Sequence, residues 1–333
     1  MLEASPSSIP SAVPSGAPPL RLAMVGMIEG NGHPYSWSAI INGYNPVAMG
    51  ACPYPVIPKY LGAEPVGSVR VPDAQVTHIW TDNPADASAV AAASLIPHVV
   101  GRPEEVIGQV DAVVISTDDG FDHVRRARPF VEAGLPVFID KPLATSLEEL
   151  RIFTAWQNAG AKIMSSSGLR YSPQLAACRA GLPALGELRW LSGVTTKTWE
   201  RYGIHLLEPL FCLTGSGITS IRMETQPDFE VAHLLHRSGV QVTVPVIYDA
   251  AGAFGAVQLC GTAGQSSLRF GNTTYQNFRG QMISFIDFAR TGRASYAFAE
   301  TVELMAVLIA GLRSRAEQSR RVEIAEILSS LNP

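Results

Sequence analysis

Short apolar runs alternate with segments of helical spacing from residue 21 onward. The runs are too short for helices and almost wholly apolar, which is typical of strands buried on both faces of a parallel sheet. The alternation predicts βαβ units. We expect strands at residues 22–26, 76–81, 112–116, 137–140 and 161–165, and helices at 36–43, 86–95, 122–134 and 147–158.

Beyond residue 167 extended segments follow one another more directly, which predicts a second and mostly antiparallel sheet. A helix begins near His205, and two long helices with apolar positions at helical spacing close the chain. We therefore expect an α/β protein with a Rossmann-type, doubly wound parallel sheet, followed by an α+β domain with a large open sheet. The extended segments are 188–195, 218–225, 230–236, 240–248, 256–261 and 267–270, and the two closing helices are 276–290 and 299–318.

These patterns divide the chain into three parts. Residues 1–20, rich in Ser, Pro and Ala, are expected to form a disordered tail, and they lack the basic and apolar regions of a secretory signal. Residues 21–166 are the predicted dinucleotide-binding domain, and residues 167–333 the predicted substrate-binding and oligomerisation domain. The exposed face of the second sheet predicts a homodimer or homotetramer.

Composition excludes several classes of function. Of the 333 residues, 47% are hydrophobic and 16% charged, so large cores can form. The net charge of -4 and the lack of a basic run argue against nucleic acid and membrane surfaces as partners. Four dispersed cysteines without a C-x-x-C pair fit a reducing, cytoplasmic setting. The seven histidines show no metal-ligand spacing, so no metal is expected.

The turn after the first strand contains Gly26, Gly30 and Gly32, where glycines would let backbone amides approach a pyrophosphate. Ile28 occupies the place of the second glycine in G-x-G-x-x-G, so an ordinary strand-to-helix turn is an equal alternative. After the second strand, Asp82 could recognise a ribose hydroxyl, which favours NAD over NADP, or could form an Asx turn or helix cap.

Lys141 is one of only four lysines in the chain, with Lys59, Lys162 and Lys197. It follows a strand in the sequence Asp140-Lys141-Pro142, and the carboxyl ends of parallel strands face the ligand crevice. This segment resembles the Glu-Lys-Pro motif of the Gfo/Idh/MocA oxidoreductases, which include sugar and cyclitol dehydrogenases.

The resemblance extends over nearly all of the chain after the tail. Thr117 and His123 are similar to the family's strand, loop and helix before this motif, and residues 168–173 are similar to its Arg-Phe-Ser-Pro stretch. Residues 202–208 look like its Asp-x-Gly-x-His-x-x-Asp segment, with His205 in the place of the catalytic histidine. By resemblance, the cofactor-binding residues are the three turn glycines with Asp82, Thr117, His123, Asp140, Lys141 and Pro142.

One position departs from the family pattern. The leading Asp of the histidine segment falls on Arg201, with Glu200 one residue away. Arg201 and Arg170 are either ion-pair partners or ligands for a substrate carboxylate or phosphate. We include them with Tyr171, Tyr202 and His205 as candidate substrate-binding residues.

The resemblance implies an NAD(P)-dependent oxidoreductase that moves hydride between nicotinamide and a hydroxyl or keto carbon of a sugar, sugar acid or cyclitol. His205 would be the base and Lys141 the cation that stabilises alkoxide charge. A non-catalytic ligand sensor on the same fold and a redox-neutral enzyme that uses NAD transiently are the alternatives. The sequence does not identify the substrate.

Overall fold

The computed structural model describes residues 18–65, 67–250, 256–271 and 273–331. Most of the predicted tail, residues 1–17, therefore lies outside the described residues. The first strand begins at Leu20, one residue before the predicted domain boundary.

The first domain is built on a six-stranded parallel sheet in the order β3-β2-β1-β4-β5-β6. Strand β1 pairs with β2 on one side and with β4 on the other, so the strand order reverses between β1 and β4, where doubly wound folds bind ligands. The strands are β1 Leu20–Val25, β2 Ala74–Trp80, β3 His98–Val99, β4 Ala112–Ile115, β5 Val137–Ile139 and β6 Ile163–Met164.

Helices cover both faces of this sheet. They are α1 His33–Asn42, α2 Pro46–Gly50, α3 Val56–Leu61, α4 Pro84–Ala93, α5 His123–Glu132 and α6 Leu147–Asn158. Ser146 caps α6, since its hydroxyl accepts the backbone N–H of Glu149 at 3.2 Å. The sequence pattern did not reveal α2, α3 or β3, because these elements are short and the first two lie in a Pro- and Gly-rich stretch.

The second domain contains an eight-stranded sheet in the order β13-β12-β7-β11-β10-β9-β14, with β8 paired to β11. Only the pairs that β11 forms with β7 and β8 are parallel within the described strands. The strands are β7 Leu188–Gly193, β8 Thr195–Thr196, β9 Ile218–Thr225, β10 Phe229–His236, β11 Gln241–Ile247, β12 Ala256–Gly261, β13 Gln265–Arg269 and β14 Val322–Glu323. The expected fold class is confirmed.

One face of this second sheet carries the long helix α11, whose apolar residues pack on β9. The other face leaves Trp190 and Phe229 each 37% exposed. The helices of this domain are α7 Pro173–Gly181, α8 Trp199–Tyr202, α9 Ile204–Thr214, α10 Thr274–Thr291, α11 Phe298–Ala316 and α12 Ile324–Leu328.

Helix α10 joins the two domains. It packs against α1, and the rings of Phe285 on α10 and Phe138 on β5 lie 5.5 Å apart. The amino-terminal end of α10 thereby faces the carboxyl edge of the first sheet, across from the glycine turn. No helix in the described ranges is both long enough and apolar enough to cross a membrane.

Candidate active site

The glycine turn begins where β1 ends. Gly26 has φ +91°, and a Cβ there would lie 2.8 Å from Cγ2 of Thr117, so a side chain is excluded by both conformation and space. Helix α1 starts at His33 and has no acidic residue in its first turn. Its partial positive charge is therefore not neutralised by its own side chains, which suits an anionic ligand.

Asp82 lies beside this turn, at the end of β2. Its carboxylate accepts the backbone N–H of Met27 at 3.3 Å and pairs with Arg126 at 2.8 Å. The side chain of Asn83, and not that of Asp82, caps α4, so the alternative of a helix cap at Asp82 is wrong. The Asp82 side chain stays 39% exposed at the edge where ribose recognition was predicted.

Asp140 is fully buried at the end of β5 and holds three donors. One carboxylate oxygen accepts the backbone N–H of Lys141 at 2.7 Å. The other faces Nδ1 of His33 at 2.5 Å and accepts the side-chain N–H of Asn31 at 3.1 Å. Asp140 therefore ties the glycine turn to the strand end that carries Lys141, whose peptide bond with Pro142 is cis.

Lys141 lies in a cluster of buried charges. Its Nζ is 3.4 Å from Asp118, and Arg201 donates to the same carboxylate at 2.8 Å. Burial alone would raise the pKa of Asp118, but Lys141 and Arg201 outweigh it and hold the pKa of that carboxyl well below its usual range. The Arg201 that replaces the family's Asp is thus matched by a carboxylate from the first domain, while Glu200 pairs with Arg315 at 3.2 Å.

The ring of Tyr202 lies between the two predicted catalytic groups. The Lys141 ammonium is 5.3 Å from its centroid, and the His205 ring is 5.2 Å away. Lys197 donates to the Tyr202 hydroxyl at 2.5 Å. Nδ1 of His205 lies 2.8 Å from the Ser167 hydroxyl. Burial and the nearby Lys141 charge lower the pKa of His205 well below its ordinary value, so its imidazole is neutral at neutral pH.

Arg170 is placed in an internal ion-pair network. It donates to Glu208 at 2.8 Å and also pairs with Glu300, and its guanidinium lies 4.1 Å from the Tyr296 ring centroid. Its side chain is only 10% exposed. Of the two alternatives for Arg170, the contacts favour the ion pair. Tyr171 also faces inward, with its ring against Gly280 of α10.

His123 lies between two backbone carbonyl groups. Its ring is fully buried, with Nε2 2.7 Å from the Thr117 carbonyl and Nδ1 3.2 Å from the Leu143 carbonyl. It starts α5, where side chains point back over the preceding turn, so the ring ties two loops together. These contacts give His123 a role in holding the loop of Thr117, and its contact with the cofactor stays a prediction. Thr117 itself has a buried hydroxyl with no partner in the described part of the chain.

A cleft of about 450 Å³ opens between the glycine turn, α3 and α10. Of the predicted site residues, the cleft is lined by Gly30, Gly32 and Tyr202, whereas Lys141 and His205 lie behind its wall. Its other polar lining residues are His33, Ser36, Tyr54, Tyr60, Thr274 and Asn277. Oδ1 of Asn277 is buried and has no partner within the described ranges.

Sequence reasoning missed Asn31, His33, Asp118 and Lys197. The scarcity of lysine could have drawn attention to Lys197. The other three gain their importance from contacts with residues 83 to 109 positions away, which no local pattern reveals. Within the described ranges, no group of three or more His, Cys, Asp or Glu side chains could hold a metal ion.

Known proteins agree with this architecture. Residues 62–166 match the model of the GFO_IDH_MocA oxidoreductase family, NAD-binding Rossmann fold. This segment is similar to the nucleotide-binding domain of that family. This match confirms the resemblance predicted from Asp140-Lys141-Pro142, and it places Thr117 and Lys141 within the matched segment.

One curated relative is the "Putative UDP-kanosamine synthase oxidoreductase subunit" of Amycolatopsis mediterranei (strain S699), 27% identical over 117 residues. The match covers 35% of this chain and 32% of that relative, so the chain spans about a third of the relative's length.

Solved structures share the fold over most of the chain. Myo-inositol 2-dehydrogenase from Lactobacillus plantarum superimposes with a TM-score of 0.73 at 14% identity, over 92% of this chain and 99% of that one. GenD2 from gentamicin A biosynthesis, in complex with NAD, gives a TM-score of 0.71 at 18% identity, over 94% and 99% of the two chains.

The residues at the switch point fit a dinucleotide. Among the described residues, the buried Thr117 hydroxyl has no partner, a side chain at Gly26 is sterically excluded, and the first turn of α1 carries no acid. A phosphate-bearing ligand would supply an acceptor to the Thr117 hydroxyl. Gly26, Gly30, Gly32 and Thr117 are thus the residues that would hold it.

Proposed function

We propose that this protein is an NAD-dependent oxidoreductase that acts on a hydroxyl or keto carbon of a sugar, sugar acid or cyclitol. The observation that carries the proposal is the position of Lys141. It lies at the carboxyl edge of the first sheet, in the segment that matches the family model, with a cleft directly beyond Tyr202. Bound NAD would accept the hydride.

The chain's own residues have separate tasks in this proposal. Lys141 supplies positive charge where alkoxide character develops, and Asp118 keeps its ammonium in place. An imidazole takes the hydroxyl proton. His205, which the sequence predicts for this role, is kept unprotonated by burial and by the Lys141 charge, as a base must be.

The cleft supports a polyhydroxylated substrate. Its polar groups sit among aromatic side chains such as Tyr54 and Phe278, and the buried Asn277 carbonyl oxygen can accept one hydroxyl. One structural neighbour, myo-inositol 2-dehydrogenase, is named for a cyclitol, which supports the same class of compound.

The test is a binding titration followed by a turnover assay. NADH binding is measured by fluorescence, and a panel of cyclitols, sugars, sugar acids and nucleotide sugars is then screened for change at the nicotinamide absorbance band. Turnover with any member supports the dehydrogenase. Binding without turnover supports the sensor, and conversion with no net change in the nicotinamide supports the redox-neutral enzyme. An absence of NADH binding contradicts the dehydrogenase and the redox-neutral enzyme.

We also infer that two or more copies associate through the open face of the second sheet, which carries Trp190 and Phe229. Sedimentation should give a dimer or tetramer, and Trp190→Glu should shift it toward the monomer. A monomeric wild type at micromolar concentration would contradict this inference.

A further inference from the structure

His33 is an imidazole on the cleft wall that the family resemblance does not assign. It lies at the first position of α1, its side chain is 19% exposed, and it lines the cleft together with Tyr202. His205, by contrast, is only 8% exposed and does not line the cleft. Of the two, His33 is the imidazole that a bound substrate can reach without movement of Tyr202.

The ring of His33 is held on three sides. It stacks on Trp37 at a centroid distance of 4.3 Å and meets the edge of Phe278 at 5.2 Å. Its Nδ1 faces the buried Asp140 carboxylate at 2.5 Å. The ring therefore has a fixed orientation, as an acid–base group requires.

The contact with Asp140 also selects the tautomer. A carboxylate only accepts hydrogen bonds, so Nδ1 of His33 donates, and in the neutral ring the lone pair resides on Nε2. A buried carboxylate behind an imidazole stabilises the cation that forms when Nε2 takes a proton, which is the arrangement of the Ser-His-Asp triad. The chain thus contains an oriented imidazole–carboxylate pair although Arg201 takes the place of the leading Asp in the histidine segment of the family pattern.

The charge state of His33 affects the pKa of other groups in the site. When protonated, His33 would add to the charges of Lys141 and Arg201 that lower the pKa of Asp118, and to the burial and Lys141 charge that lower the pKa of His205. The charged and titratable groups around it are thus Asp140 in direct contact and the cluster of Asp118, Lys141 and His205. A proton on His33 therefore changes the electrostatic potential at Lys141 and its neighbours.

We propose that His33, oriented by Asp140, is the general acid–base residue that exchanges the proton of the reacting hydroxyl. The inference rests on the proposed function. In the oxidation, the substrate O–H proton goes to Nε2 of His33, the C–H hydrogen leaves with its electron pair to NAD⁺, and the alcohol becomes a ketone. NAD⁺ is reduced to NADH. His205 is then a positioning residue behind Tyr202.

The kinetic test compares two variants, His33→Gln and His205→Gln. We expect His33→Gln to lower kcat by about 10²–10⁴-fold, the usual contribution of a general acid–base group, with the NADH dissociation constant within about twofold of wild type. His205→Gln should cost less than His33→Gln. A loss at His33→Gln that does not exceed the loss at His205→Gln overturns the proposal.

Three further variants distinguish a chemical role of His33 from a purely structural one. His33→Phe keeps a ring on Trp37 but removes both nitrogens, so it should be as inactive as His33→Gln, and added imidazole should partly rescue His33→Ala. His233→Gln, an imidazole on the exposed face of β10, is the matched control and should leave turnover unchanged. Full activity in His33→Phe overturns the proposal.

A second measurement does not depend on turnover. Nitrogen NMR of the protein labelled at histidine, with the His33 signal assigned by its loss in His33→Gln, should show Nδ1 protonated and Nε2 bare in the neutral ring. A protonated Nε2 in the neutral ring overturns the proposal even if no substrate is found. An absence of NADH binding in the wild type would instead contradict the proposed function and leave the tautomer result to decide the inference.

Discussion

Each of the two walls of the cleft contains a carboxylate next to an imidazole or a guanidinium, but the contacts of these groups differ between the walls. On the first-domain wall, Asp140 turns the His33 ring toward the cleft. On the second-domain wall, the two carboxylate oxygens of Glu208 accept hydrogen bonds from Arg170 and from the backbone N–H of Ser167. The ring of His205 lies beneath that of Tyr202. A carboxylate next to an imidazole or a guanidinium therefore indicates a functional site only when the imidazole or guanidinium also faces a cleft that can hold a ligand.

The largest effect, on the free energy of unfolding, should come from breaking the ion pair between Arg170 and Glu208 on the second-domain wall. Arg170→Met leaves Glu208, whose side chain is 1% exposed, without its partner, and we expect a loss of about 3–5 kcal/mol in the free energy of unfolding. Urea denaturation measures it. Arg189→Met removes an exposed partner of Glu187 and should cost under about 1 kcal/mol. A stable Arg170→Met with a greatly raised KM would instead make Arg170 a substrate ligand.

The next effect is a change in how stability depends on pH. Because burial and Lys141 lower the pKa of His205 in the folded protein, the unfolded chain binds a proton below pH 6.5 that the folded chain does not. His205 therefore destabilises the fold as the pH falls below its ordinary pKa, by up to about 1.4 kcal/mol per pH unit. His205→Gln should flatten the curve of unfolding free energy between pH 7 and 5 accordingly. Identical slopes would show that His205 is not buried in its neutral form.

The smallest effect is on KM and concerns Tyr202, whose ring lies between Lys141 and His205. Lys197→Met removes the hydrogen bond to the Tyr202 hydroxyl and the ammonium 4.3 Å from its ring centroid. A hydrogen bond of about 0.5–1.5 kcal/mol predicts a rise in KM of roughly 2- to 12-fold with little change in kcat. Steady-state kinetics with Lys197→Arg as the charge-retaining control would check this. A larger fall in kcat would mean that Tyr202 or Lys197 takes part in the chemistry.

Much of the first domain could be predicted because its signals are local. Buried parallel strands are continuous apolar runs, and strands β1, β2, β4 and β5 lie within two residues of their expected limits. The end of β5 carries a scarce lysine followed by proline, and that position alone located the ligand edge. The short elements α2 and α3 escaped because Pro and Gly obscure their periodicity, although α3 forms one side of the cleft.

The structure brings some of the predicted site residues together and places others apart. Lys141 and His205 were identified by motif, and the structure brings both to the ring of Tyr202. His123 was expected at the cofactor, and the first turn of α5 directs its ring onto two backbone carbonyls. Arg201 was recognised as a departure from the family, while its partner Asp118, 83 residues earlier, could not be identified.

The sequence by itself determined the fold class, the order of the two domains and the strand end that carries Lys141, since these follow from residue periodicity and from a short motif. Only the tertiary structure decided which polar groups are satisfied internally and which face the cleft. His33 and Asp140 are 107 positions apart, and no sequence pattern states their 2.5 Å contact. Chain folding sets such pairings through the packing of whole elements, so the same two residue types can form a structural tie or an acid–base pair.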